Sequence, residues 1–292
     1  MKITISGSLG NVSKPLVQKL VASGHEVTVI SNNSERSEAI EALGAKPAIG
    51  SMHDASFLEK AFTGADAIYV MTPPNMGGSN ILKNMKTAGQ AFAEAIQKSG
   101  VKRVVMLSSI GADLPNGTGP IAGLYTIEKI YQALENISIT FLRAGFFYTN
   151  FYHDVPMIKG AGIIGSNFPA STVIPYVHPN DIAMAVAEEL QKTGSGKNVR
   201  YIVSDVRTPA DVAKVFGNAI GKPELPWIEF TDEQALNGMA QAGLPEEIAG
   251  LYTEMGTGLR SGAIAEDFLK NKTSIDGKIK LEDFAKEFAS NF

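Results

Sequence analysis

Three groups of residues could do chemistry in this chain, and the first is a turn. Ile3-Thr4-Ile5-Ser6-Gly7-Ser8-Leu9-Gly10-Asn11-Val12-Ser13 runs from a β-branched strand pattern through two glycines into a helical pattern. Gly7 permits a tight turn, and Gly10 lets the backbone N–H groups of Ser8, Leu9, Asn11 and Val12 approach a pyrophosphate at the positive end of the next helix. Where a third glycine would allow close helix–strand packing the chain has Ser13, which is also small. The competing reading is an ordinary strand-to-helix turn; the position after the first strand, about 20 residues before a second, favours a dinucleotide. The second group, Ser31-Asn32-Asn33-Ser34-Glu35-Arg36, follows the second strand, where an adenosine ribose is read. An acid there would bind both ribose hydroxyls and repel a 2′-phosphate. Ser31 and Asn32 followed by Arg36 suit the phosphate, so NADP(H) is preferred, with NAD(H) as the alternative and an Arg36–Glu35 surface pair as the competing role. The third group is Tyr125 and Lys129, four residues apart on one predicted helix and hence on one face. An ammonium beside a phenol lowers its pKa, so Tyr125 could give a proton as hydride arrives at a substrate held by the hydroxyl of Ser108 or Ser109. Otherwise the proton comes from water, the protein supplies proximity, and Tyr125 is a pocket wall.

The elements that must position these residues follow a βαβ pattern. Strands are expected over 2–6, 26–30, 46–49, 67–71, 103–107 and 138–142, with helices over 12–23, 35–43, 56–62, 80–99 and 124–135. The helix over 80–99 carries Ile81, Met85, Ala88, Phe92, Ala95 and Ile96 on one stripe and ends at Gly100. From Ala144 to Phe168 the regularity gives way to an aromatic, glycine-rich stretch that could build a substrate pocket. There Phe146, Phe147, Tyr148, Phe151 and Tyr152 suit either a flat substrate or a hydrophobic loop core. Asn180 and Asp181 read as the cap of a helix to about 191, a strand follows over 199–204, and Thr208-Pro209 opens another helix. The fold class is therefore α/β, a Rossmann-type doubly wound parallel sheet with a smaller, mainly helical C-terminal substrate region. The division is 1–150 for the nucleotide core and 151–292 for the remainder, with 180–220 returning to the sheet.

Composition narrows the field. Of 292 residues, 44% are hydrophobic and 19% charged, which fits a globular domain, and no apolar run is long enough to span a bilayer. With no signal-peptide pattern at the N-terminus, a cytoplasmic location is expected. The absence of cysteine excludes disulfides and thiolate chemistry, and His25, His53, His153 and His178 show no metal-ligand spacing, so no metal is expected. A net charge of −4 gives no footprint for nucleic acid.

In their order and spacing, GSLGNVSKPLVQKLVASGHEVTVI, SFLEKAFTGADAIYVMTPP, SGVKRVVMLSSIGA, FLRAGFFYTNF, VHPNDIAMAVAEEL, GLPEEIAGLY and GLRSGAIAEDF resemble the NmrA-like branch of the atypical short-chain dehydrogenase/reductases. That group includes quinone and azo-dye reductases and redox-sensing regulators. The resemblance implies NAD(P) contacts at the phosphate turn, at Thr72 and Pro73, at Ser108, at Lys129, and at Gly145, Phe146 and Phe147 beside the nicotinamide. Tyr125 and Lys129 also match the Y-x-x-x-K spacing of reductases in the wider superfamily. Two positions depart from the pattern: Ser31 stands where many relatives carry arginine, and Ser51 where an aspartate often precedes the adenine-facing residue, here Met52. The expected function is NAD(P)H-dependent reduction of a small aromatic or carbonyl electrophile such as a quinone or azo compound, by a monomer or homodimer. The alternative is a non-catalytic NADP(H) sensor that binds a protein partner.

Overall fold

In the computed structural model, which describes residues 1–74, 78–271 and 274–292, strands and helices alternate strictly through the first half. They are β1 (Lys2–Ile5), α1 (Ser13–Ala22), β2 (Glu26–Ser31), α2 (Ser37–Glu41), β3 (Lys46–Ile49), α3 (Ala55–Phe62), β4 (Ala67–Val70), α4 (Ile81–Ser99), β5 (Arg103–Ser109), α5 (Ile121–Gln132) and β6 (Ser138–Ala144). Then follow β7 (Phe146–Phe147), α6 (Val155–Ala161), β8 (Ile164–Ser166), β9 (Ile174–Val177), α7 (Pro179–Leu190), β10 (Lys197–Ile202), β11 (Asp205–Arg207), α8 (Pro209–Ala219) and β12 (Trp227–Glu229). The tail is helical: α9 (Asp232–Gln241), α10 (Glu246–Arg260), α11 (Ala263–Lys270) and α12 (Leu281–Ala289).

Seven parallel strands form one sheet in the order β10-β6-β5-β4-β1-β2-β3. A parallel sheet needs crossover helices, and these bury both its faces, which is why β4, β5 and β6 read as nearly continuous apolar runs. One face packs Leu16, Val17 and Leu20 of α1 with Ile182 and Val186 of α7, and the other packs Leu58, Phe92, Ile127 and Tyr131 of α3, α4 and α5. This is the doubly wound Rossmann arrangement, whose order reverses between β1 and β4.

Several boundaries differ from the sequence reading for local reasons. The helix expected over 35–43 is split, because the Asn33 side chain accepts from Glu35 N and sets a 3₁₀ turn over Ser34–Arg36 before α2 begins. The helix expected over 124–135 starts at Ile121, where Pro120 with φ −61° occupies the cap. Asp181 is not the cap of α7: His178 is, its ring accepting from Asn180 N, while buried Asp181 accepts from Ser204 Oγ at 2.7 Å and from Ile279 N at 3.0 Å. Asp181 thus fastens the chain between α11 and α12 onto the rest of the fold, and Gly277 passes so near that a Cβ there would lie 2.6 Å from Ser204 Cα.

The aromatic stretch after β6 divides. Tyr148 and Phe151 are core residues, Tyr148 stacking between Tyr176 and Phe284 with ring centroids 5.7 Å and 5.3 Å away and Phe151 meeting Phe216 edge-on at 5.1 Å. Tyr152 packs from the exposed side on Phe284 and Phe288. Trp227 anchors β12, its Nε1 donating to Phe168 O at 3.0 Å.

Beside this core, burial pushes the Asp154 carboxyl up to about 7. Its folded-state pKa is above the unfolded value, so its contribution to stability is fully present below about pH 4 and is lost as pH rises through about 7. Asp154→Asn is therefore expected to stabilise the protein by about 2 kcal/mol at pH 8 and to be nearly neutral at pH 4, roughly half the full linkage value because the carboxyl keeps some contact with water. Urea unfolding at the two pH values checks this. An equal effect at both would remove the carboxyl's titration as the cause.

Candidate functional site

The turn after β1 is built as a cradle. Gly7 has φ +91° and Ser8 φ +53°, Gly10 N donates to Gly7 O at 3.1 Å, and Ser8 N donates to Ile30 O at 3.0 Å, tying the turn to the end of β2. Leu9 packs on the core, Gly10 and Asn11 are exposed, and Val12 is buried at the N-cap of α1. That cap has no side-chain hydrogen bond and no acid in its first turn, so the N–H groups and the positive end of the helix face outward for an anion. Ser13 does what the missing glycine would: it is buried, its hydroxyl donates to Ser6 O at 2.9 Å, and a Cβ on Gly7 would lie 2.7 Å from it. The observed turn fits a pyrophosphate.

At the end of β2, Ser31 is buried and its hydroxyl is taken up by Ser8 Oγ at 3.1 Å and by the Asn33 backbone, so it shapes the turn. Asn32 and Arg36 are exposed. Glu35 meets Asn33 instead of Arg36, which has no ion pair among the described residues. Met52 lies half-buried in the loop after β3. Because adjacent strands lie about 4.8 Å apart, the order β4-β1-β2-β3 sets Thr72, the glycine turn, Asn32 with Arg36, and Met52 along one line at the carboxyl ends of the sheet.

Beyond β4 this line opens into a cavity of about 270 Å³. Thr72, Pro73, Ser108, Gly145, Phe146 and Phe147, each predicted from sequence, meet in its wall. Gly145 is required by close approach, since a Cβ would lie 2.6 Å from Pro175 O. Its roof is α10, through Tyr252, Met255 and Leu259, an i, i+3, i+7 stripe that sequence periodicity could reveal only as one helix face. The roof is tied down at a distance: the Glu247 carboxylate accepts from Asn80 N at 2.6 Å and Ile81 N at 2.7 Å, capping α4, which has no cap of its own, and Glu254 accepts from Gly117 N at 2.7 Å. Burial raises the Tyr252 phenol above its ordinary value and keeps it protonated. Asn150 also lines the cavity, as do Ile174 and Pro175, unforeseen because strand β9 is brought there by pairing with β7. Among the described residues lining it there is no Asp, Glu, Lys, Arg or His.

Tyr125 and Lys129 are not brought to this cavity. Helix α5 turns Ile121 and Leu124 toward it, leaving Tyr125 half-buried one position round and Lys129 exposed, its ammonium 5.3 Å from the Tyr125 ring centroid. Sharing a face was legible; which face meets the site depends on how α5 is rolled on the sheet. Ser108 is in the wall, but its hydroxyl donates to Glu128 Oε1 at 2.6 Å, and that of Ser109 donates to Ile110 O at 2.9 Å. Glu128 in turn is paired with Arg143, which also reaches Asp267 at 3.1 Å and Asp113 at 3.6 Å, while the Tyr201 hydroxyl donates to Asp267.

A wider cleft of about 830 Å³ runs along edge strand β10. Its charges satisfy one another, Arg103 with Glu189 and Arg200 with Glu188, Glu189 and Asp276, and none of the residues at β1 to β4 expected from sequence to meet a dinucleotide borders it. His153 is exposed and His178 serves as a cap. The described residues hold no cluster of metal-ligating side chains, and no helix among them is long and apolar enough to cross a membrane.

The chain is 26% identical over 258 residues to an NAD(P)H azoreductase of Xenophilus azovorans, covering 87% of this chain and 85% of that one. Its fold matches an NADPH-dependent quinone oxidoreductase of Escherichia coli, crystallised with NADPH, with a TM-score of 0.83 at 18% identity over 98% of this chain and 99% of that one. It also matches a triphenylmethane reductase of Citrobacter sp., crystallised with NADP(H), with a TM-score of 0.78 at 21% identity over 98% and 99%. The profile of the NmrA-like family aligns with residues 1–261, which takes in the glycine turn, every strand of the sheet and the α10 roof, and by that match the chain belongs to the NmrA-like family.

Proposed function

We propose that this protein is an NADPH-dependent reductase of small, flat, conjugated electrophiles such as quinones or azo compounds. The observation that carries the reading is the line from the ribose end at Arg36, through the uncapped α1 terminus, to an apolar cavity with no charged side chain among the described residues that line it. The named activities of the azoreductase and quinone oxidoreductase relatives support it.

When bound, the reduced nicotinamide supplies a hydride. The chain's part is to fix geometry and exclude water. The turn at Gly7 to Val12 would hold the pyrophosphate, Thr72, Pro73 and Gly145 to Phe147 would border the nicotinamide, and α10 would cover the acceptor. Among the described residues lining the cavity there is no carboxyl, ammonium or imidazole, the hydroxyls of Ser108 and Ser109 give their protons to Glu128 and Ile110, and burial raises the Tyr252 phenol and makes it a poor acid. The proton that would follow the hydride is assigned to water, as suits a quinone, whose reduced form gains aromaticity.

Purified protein with NADPH and a panel of quinones, azo dyes and aldehydes tests this. Quinone- or azo-dependent loss of reduced nicotinamide absorbance is expected, and no consumption above background with any of them would sink the proposal. For the cofactor choice, Arg36→Ala is expected to weaken NADPH binding about tenfold and leave NADH binding unchanged, the effect shrinking at high salt because Arg36 is exposed. Fluorescence titration of both cofactors at two ionic strengths reads this out, and equal losses for NADH would rule out a 2′-phosphate contact.

A further inference from the structure

Ser108 and Glu128 decide in which direction the cavity wall can hydrogen-bond. Both are buried, and Ser108 Oγ lies 2.6 Å from Glu128 Oε1. Arg143 grips the same carboxyl with two donors, Nη2 to Oε2 at 2.8 Å and Nε to Oε1 at 3.1 Å. A carboxylate held by both arms of a guanidinium accepts only. The hydrogen between Ser108 and Glu128 therefore belongs to the serine, and what Ser108 keeps for an occupant of the cavity is its lone pairs. Ser109, next in the wall, has its proton on Ile110 O. A serine that holds a carbonyl oxygen must donate; this one is arranged to do the opposite.

We propose that Glu128 is a positioning residue that makes Ser108 a hydrogen-bond acceptor, and that the group Ser108 meets in the occupied cavity is an N–H or O–H donor. The proposal rests on the reductase reading above. Two sources can present such a donor: the carboxamide of the nicotinamide, or an amino or hydroxyl substituent on the electron acceptor. Glu128→Gln has a defined consequence. The Oε1 position takes both Ser108 Oγ and Arg143 Nε, so an amide nitrogen there makes Ser108 its acceptor and frees the serine's proton toward the cavity at the cost of the Nε bond, while an amide oxygen there leaves Ser108 donating. Arg143 still has Asp113 and Asp267 beside it, so its charge is not stranded. Ser108→Ala leaves the Arg143–Glu128 pair intact and removes only the hydroxyl.

The experiment titrates the natural protein, Ser108→Ala and Glu128→Gln with NADPH and with its reduced acetylpyridine analogue, in which a methyl ketone replaces the carboxamide. Binding is read by fluorescence and folding by thermal melts. If the cofactor supplies the donor, the natural protein prefers the amide by about fivefold, Ser108→Ala abolishes the preference and Glu128→Gln lowers it. If the acceptor supplies the donor, the two cofactors bind alike in all three proteins. The preference then appears in the KM ratio of an amino-substituted to an unsubstituted naphthoquinone, changing in the same order across the variants while kcat changes less. Ratios that stay equal across the three proteins for both pairs overturn the inference and leave the reductase reading standing. Failure of the natural protein to bind NADPH overturns both. Ser108→Ala reads the same ratios should Glu128→Gln fail to fold.

Discussion

Gly7→Ala is expected to weaken NADPH binding about 30-fold while the protein stays folded. Gly7 sits at φ +91°, where an L-residue is strained by about 1–3 kcal/mol. Its new Cβ would also lie 2.7 Å from Ser13 Oγ and 3.1 Å from Met71. Ser13 cannot step aside, because it is buried and bonded to Ser6 O. The turn itself must shift, moving the N–H groups that face the pyrophosphate relative to the cavity, and about 2 kcal/mol lost from that alignment corresponds to the 30-fold change. Gly24→Ala is the matched control: φ is +78° there, but nothing lies within 4 Å of the added Cβ, so it carries strain without displacement at the turn. Titration of both variants with NADPH separates the two effects. Equal affinity losses in the two would show that the turn does not hold the cofactor.

Arg143→Met is expected to destabilise the fold by about 3–5 kcal/mol, the largest loss foreseen for any single surface-distant charge in this chain. Arg143 is the only cation paired with Glu128 among the described residues, and Glu128 is 1% exposed. The substitution keeps much of the volume but leaves Glu128 buried and uncompensated near Asp113 and Asp267. Urea unfolding of the variant and the natural protein at neutral pH measures this. A loss under about 1 kcal/mol at neutral pH would place the pair with exposed ion pairs, which contribute little. Since Glu128 fixes Ser108 and Asp267 belongs to α11, this cluster also joins the cavity wall to the C-terminal helices.

The glycine turn, the alternation of strands and helices and the long α4 stripe were legible because each rests on contacts within one stretch of chain, where residue type and spacing act directly. Tyr125 and Lys129 show where that stops. Their i, i+4 spacing places them together, and the cation over the ring shows it, yet Ile121 and Leu124 take the cavity because packing of Ile127 and Tyr131 into the sheet sets the roll of α5. Asp181 has the composition of a cap, and a strap 98 residues away recruits it instead. The run from Phe146 to Tyr152 carries no mark that separates wall from core; pairing with β9 and stacking on α12 make the separation. The link among Glu128, Arg143 and Ser108 has no local signature, being made across 15 and 20 residues by three elements.

The sequence by itself determined that a parallel Rossmann-type sheet forms and where along it the glycine turn lies, since those follow from backbone freedom at Gly7 and Gly10 and from hydrophobic period. Only the tertiary structure decided which side chains line the cavity and which way Ser108 can hydrogen-bond. Those depend on helix roll and on charges brought together from distant segments, and neither is encoded in the spacing of any one of them.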